Sequence, residues 1–143
     1  TLLEQCFIVK VCPSYAKNLA NELKKSKKIY FCDNGIRNAV LGNFSPIANR
    51  SDAGALWENF VFTERLKLHS YRNDYAQIYF WRTQNPRPRE LDFIEIVDGK
   101  MTAIECKLSK NEVAKPGDSF VKAYPDCEIR TVSPLDVQRL WQI

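Results

Sequence analysis

An α/β domain with a mixed central sheet flanked by helices is what the pattern of these 143 residues predicts. Three observations predict it. Asp98-Gly99 is a strong two-residue hairpin turn signal, set between runs rich in β-branched and aromatic residues. Ser51-Asp52 opens a long helical pattern whose Leu56, Trp57, Phe60, Val61, Phe62 and Leu66 make it apolar around much of its circumference. A strand pattern from Glu128 to Val132 lies between two helical ones, which suggests a sheet covered on both faces.

Thr1 stands in what reads as the end of a helix, as in a fragment or a processed product. Phe7 to Val11 and Lys28 to Cys32 read as strands joined by a polar connection that carries Lys17, Lys24, Lys25, Lys27 and Lys28. Such a run of lysines can touch a phosphate backbone or simply be solvated, and the net charge of +4 is modest for a dedicated nucleic-acid binder. Asp33 and Asn34 precede a short helix reaching about Leu41, a usual capping arrangement.

The long helix is expected to run from Ser51-Asp52 to about Leu68, and Glu58 departs from its apolar pattern. A carboxylate in such surroundings needs a partner, because burying an unpaired charge costs several kcal/mol. Arg65 is one choice of partner; otherwise Glu64 and Arg65 read as surface charges. Tyr75 to Arg82 reads as an aromatic-rich strand. The following Thr83 to Arg89 contains Pro86 and Pro88 and reads as a loop or irregular edge. Its arginines, Arg82, Arg87 and Arg89, either contact a nucleic-acid backbone or balance nearby acids. A helix from Gly117 to Tyr124, the strand Glu128 to Val132, and a helix from Pro134 to Trp141 opened by Ser133 complete the chain.

The stretch from Glu90 to Lys107 carries most of the chemistry. If Val97 pairs with Lys100 across the turn, Asp92 falls opposite Glu105 and Glu90 opposite Lys107. Alternation would then put Asp92, Glu105 and Lys107 on one face, with Ile94, Ile96, Met101 and Ala103. Opposed like charges destabilise a sheet by a few tenths to about 1 kcal/mol, so something should neutralise them. A hard cation, Mg²⁺ or Mn²⁺, is one answer and an ordinary salt-bridge network is the other. A bulge or a longer turn would slip this register and destroy the pairing.

Composition agrees with a single domain, since 45% hydrophobic content suffices for one core. No run approaches the roughly 18 apolar residues of a membrane span, and no signal peptide is present, so no membrane partner is expected. Nor is there a G-x-x-x-x-G-K-[ST] phosphate loop, so any ATP would be handled by a module outside these residues. Five cysteines without a C-x-x-C spacing, Cys6, Cys12, Cys32, Cys106 and Cys127, read as free, mostly buried thiols in a reducing cytoplasm. Cys106 should point away from the face of Glu105 and Lys107, leaving only its carbonyl to meet a metal. His69, at a helix end, reads as a dipole or capping contact with no catalytic role.

Asp92, followed after a short hairpin by Glu105-Cys106-Lys107, resembles the PD-(D/E)xK signature of the restriction-endonuclease-like phosphodiesterases, with Leu91 where the signature has proline. A wider resemblance rests on Lys28 to Gly35, Gly54 to Glu64, Tyr79 to Arg82, Glu90 to Phe93 and Ile104 to Lys107. In that order these segments look like the uncharacterised C-terminal domain that follows an AAA+ ATPase module in many bacterial and archaeal proteins. The resemblance implies a nuclease-fold body at 46–143 and, at 1–45, a hairpin and short helix left from a winged-helix-like segment. It implies that Asp92, Glu105 and Glu58 hold Mg²⁺ or Mn²⁺, and that Lys107 helps to deprotonate or position an attacking water. DNA would be the partner, with Arg82, Arg87, Arg89, Lys24, Lys25 and Lys27 as contacts, and ATP would enter through the absent N-terminal module. A second role stays open: a catalytically inactive DNA-recognition or protein-interaction module that regulates the attached ATPase.

Overall fold

The computed structural model describes residues 1–15, 26–83, 89–109 and 116–141. Lys17, Lys24, Lys25 and Arg87, named above, lie outside the described residues. Leu2–Gln5 forms one helical turn, α1. The Thr1 hydroxyl accepts from the Glu4 N–H at 3.3 Å, and the Glu4 carboxylate reaches back to the Thr1 nitrogen at 3.0 Å. Thr1 therefore caps the start of a helix, where the sequence suggested the end of one.

Strands β1 (Val9–Pro13) and β2 (Lys27–Phe31) pair antiparallel, with Val9 opposite Phe31 and Pro13 opposite Lys27. Helix α2 (Asn34–Leu41) starts at Asp33, whose side chain accepts from the Ile36 N–H at 3.0 Å, and stops at Gly42 in the left-handed region. Helix α3 runs from Ala53 to Arg72, four residues beyond the expected end. It stops at Asn73, also left-handed, whose N–H returns to the last turn.

The second sheet has the order β3-β4-β5-β6, with β3 Gln77–Arg82, β4 Glu90–Val97, β5 Lys100–Cys106 and β6 Glu128–Val132. β3, β4 and β5 run antiparallel and β6 joins β5 in parallel, so the sheet is mixed, as expected. Asp98 and Gly99 both have positive φ, 49° and 78°, and Val97 pairs with Lys100. The two-residue turn and its register are those the Asp-Gly dipeptide predicts.

Helix α3 covers one face of this sheet. Its Trp57, Val61 and Phe62 pack with Tyr30, Phe80, Phe93, Ile104, Val132 and Leu140. Helix α4 (Asp118–Ala123) covers the other, where Phe120 packs on Leu91, Ile94 and Ala103. Residues Pro134–Trp141, expected as one helix, form 3₁₀ turns with a break at Asp136 (φ −112°). The β1–β2 pair is tied to the body. Ser14 bridges to Phe80, the Tyr15 N–H donates to the Phe80 carbonyl at 2.7 Å, and Tyr30 stacks on Phe62 with ring centres 3.9 Å apart. Among the described residues no helix is long and apolar enough to cross a membrane.

Arg65, expected at the surface, is buried. Its guanidinium bonds both oxygens of Glu95 on β4. Glu64 is partly buried and pairs with the exposed Lys67. His69, also buried, lies between Glu95 and Asp74, at 3.2 and 2.7 Å. Its partners are thus two carboxylates, not the helix terminus alone.

Candidate acidic site

A β-bulge sets the geometry of the site. Tyr79 of β3 faces Ile94 of β4, but Trp81 faces Leu91, so Phe80 stands against two residues, Asp92 and Phe93. An inserted residue reverses the facing of everything before it on the strand. Packing shows the reversal: Leu91 joins Ile94 in the Phe120 cluster, although strict alternation would send residues three apart to opposite faces. Phe93 joins the α3 cluster. Asp92 turns to the α3 side as well, where it meets the charges of Glu58 and Lys28.

This corrects the expected face. Asp92 does not share a side with Ile94, Ile96, Met101 and Ala103. The β4–β5 pairing is set out from Val97↔Lys100 to Phe93↔Ile104. Beyond it, the Asp92 Oδ2 accepts the Cys106 N–H at 2.7 Å. Glu90 likewise faces Lys28 and Arg82, at 2.5 and 2.8 Å, where Lys107 was expected opposite it.

Three elements supply the cluster. Helix α3 brings Glu58, β4 brings Glu90 and Asp92, and β2 brings Lys28 and Tyr30, two residues apart and therefore on one face of their strand. Lys28 Nζ stands 2.8 Å from Glu58 Oε1, 2.5 Å from Glu90 Oε1 and 4.0 Å from Asp92 Oδ1. The Tyr30 hydroxyl donates to Glu58 Oε1 at 2.5 Å. An open cleft of about 330 Å³ reaches this group, lined in part by Lys28, Tyr30, Arg37, Glu58, Asn59 and Glu90.

The electrostatics show a site crowded with negative charge. Burial, then the charge of Glu58, raises the Asp92 carboxyl to about 7, against the opposing effects of the Cys106 N–H and Lys28. Glu105 adds to the rise. Burial alone would lower Lys28, but Glu58 and Glu90 outweigh it and hold the ammonium above its ordinary value. Glu105 and Lys107 pair with each other at 2.8 Å, as their spacing on one face allows. The second oxygen of Glu105, Oε2, is buried and has no hydrogen-bond partner among the described residues.

Whether these residues suit a hard divalent cation can be tested on their chemistry. The donors suit one: Glu58 and Asp92 offer carboxylate oxygens in a common field, and Glu105 carries an orphaned buried oxygen. A ready ligand set is not gathered, however. Among the described residues no three Asp, Glu, His or Cys side chains form a group able to hold a metal. An ammonium lies among the carboxylates instead.

The other candidate contacts are scattered. Arg82 is half exposed and pairs with Glu90, so it balances an acid. Arg89 is exposed; its backbone bonds Thr83 in both directions, and its side chain passes close over Gly117. Lys27 is exposed at the start of β2. Sequence reasoning missed Lys28, Tyr30 and Glu90 as members of the site. The available signal was the Lys-x-Tyr spacing of β2, which puts a cation and a hydroxyl on the side of the strand that meets the odd carboxylate of α3.

The fold and this site together define a mixed α/β domain with an acidic centre partly neutralised by a lysine from strand β2. The chain belongs to the family described as "Domain of unknown function (DUF4143)", whose model matches residues 53–138. A second model, "Domain of unknown function (DUF8612)", matches residues 1–46. Two curated relatives, uncharacterized protein Rv2008c of Mycobacterium tuberculosis and uncharacterized protein Mb2031c of Mycobacterium bovis, are each 28% identical over 107 residues. The match covers 73% of this chain and 23% of each relative, so the chain spans only a small part of their length. No solved structure matches.

Proposed function

We propose that the chain is a restriction-endonuclease-like domain, attached in the whole protein to an AAA+ ATPase module, and that its acidic centre supports metal-dependent hydrolysis of nucleic-acid phosphodiesters. The observation that carries this reading is the meeting of Glu58 and Asp92, with Asp92 raised to about 7 by burial and then by the Glu58 charge. Carboxylates are concentrated this way where a cation is to be received. Glu58 and Asp92 would hold Mg²⁺ or Mn²⁺, with Glu105 as a further acid whose charge reaches Asp92. When bound, the ion would supply an activated water and neutralise charge on the phosphate.

The residues of the chain do the rest. The Cys106 N–H fixes one oxygen of Asp92, leaving the other toward Lys28. Glu105 orients the Lys107 ammonium, which is suited to holding a water or a phosphate oxygen. On this reading residues 1–45 form the wing-like extension and 46–143 the nuclease-fold body, with Lys27 and Arg89 as exposed cations for DNA. A second reading, a recognition or interaction module that regulates the ATPase, is favoured by Lys28, which already neutralises part of the centre.

The test is cleavage of plasmid and single-stranded DNA in Mg²⁺ and in Mn²⁺ by the wild type and by Asp92→Ala. Metal-dependent cleavage that falls at least a hundredfold in the variant supports the first reading. DNA binding without cleavage under any condition supports the second.

A further inference from the structure

We infer that Lys28 is the resident cation of the acidic centre and sets its affinity for divalent ions. The inference rests on the reading of that centre as a cation site and adds what controls its occupancy. Three carboxylates from two elements face one ammonium, at 2.8, 2.5 and 4.0 Å, and the ammonium comes from a third element, β2. Positive charge is therefore supplied from within the chain at the place where an ion would have to enter.

The lysine is held there by its strand. Tyr30, two residues on, is buried, stacks on Phe62 and donates to the same Glu58 oxygen that Lys28 contacts. Asn59 clasps the strand next to it, accepting from the Phe31 N–H at 2.8 Å and donating to the Phe31 carbonyl at 2.9 Å. The backbone of β2 is thus held, and the flexible side chain of Lys28 lines the open cleft. A divalent ion and the ammonium compete for the same oxygens. Occupancy by the ion requires the lysine to swing out, and a phosphate backbone arriving in the cleft would give the displaced ammonium a new partner.

Mn²⁺ binding, followed by calorimetry and by electron paramagnetic resonance, tests this on the wild type, Lys28→Met, Lys28→Arg and the double variant Lys28→Met/Asp92→Asn. Lys28→Met removes the charge and keeps the stem; Lys28→Arg keeps the charge and serves as the control for folding. The expected result is Mn²⁺ affinity at least tenfold higher in Lys28→Met than in the wild type, wild-type affinity in Lys28→Arg, and loss of the gain in the double variant. Equal affinity in the wild type and Lys28→Met would overturn the role of Lys28 while leaving the centre a cation site. No binding in any folded variant would overturn both.

Discussion

The guanidinium of Arg65 meets the carboxylate of Glu95 through two hydrogen bonds, Nε to Oε1 at 2.8 Å and Nη2 to Oε2 at 2.5 Å, with both side chains only 3% exposed. This pair fastens the far half of α3 to the centre of β4. Arg65 also donates to the Leu140 carbonyl, which ties in the C-terminal segment. Burial alone would raise the Glu95 carboxyl, yet Arg65 and His69 outweigh it and hold it below its ordinary value.

Removing one partner of such a pair leaves the other charged and buried. Glu95→Leu or Arg65→Met should each destabilise the domain by about 3–5 kcal/mol, whereas the double variant Arg65→Met/Glu95→Leu should cost clearly less than the sum. Urea unfolding of the three variants checks this, and simple additivity would show that the buried pair is not coupled.

The Asp92 carboxyl makes stability depend on pH in a defined window. Its folded value, about 7, lies above the ordinary 3.8, so the folded state binds the proton more tightly than the unfolded one. Stability therefore falls as the pH rises from about 4 to about 7. Asp92→Asn, which keeps an oxygen for the Cys106 N–H, should match the wild type near pH 4. At pH 7.5 it should be more stable by roughly 2–4 kcal/mol, because each tenfold difference in proton affinity between the folded and unfolded states is worth about 1.4 kcal/mol. Melting curves across the pH range would show it, and parallel curves for the two proteins would refute it.

His69 acts in the same sense, in a window that opens near pH 6.5. The hydrogen bond to Glu95 is the largest effect raising its value above the ordinary 6.5, with Asp74 adding to it and burial opposing. Its contribution is complete below about pH 6.5 and is lost as the pH rises through the raised value. In an Asp92→Asn background, which removes the Asp92 contribution, the remaining loss of stability above about pH 6.5 should disappear in His69→Gln. Its persistence would assign the loss to another group.

Much of this architecture is legible in the residues, and the parts that are not have specific causes. The Asp98-Gly99 turn fixes the β4–β5 register because few other dipeptides tolerate two positive φ values in succession. Glu58 stands out because a carboxylate on an otherwise apolar helix face demands a partner. The bulge at Asp92 and Phe93 leaves no mark in composition, and it alone decides which face Asp92 takes. Arg65 reads as a surface charge because its partner lies thirty residues away, on a strand where Glu95 reads as an ordinary alternating polar position. Lys28 reads as one more lysine of a basic connection until β2 is laid against α3.

Glu58 and Asp92 share one crowded centre. The direct measurement is the titration of the Asp92 side-chain carboxyl carbon by NMR, in the wild type and in Glu58→Gln. The structure predicts a midpoint near 7 in the wild type, and a clearly lower one once the Glu58 charge is removed. A midpoint near 4 in both proteins would contradict it: Asp92 would then be an ordinary solvated carboxylate, and the acidic centre would not exist as a unit.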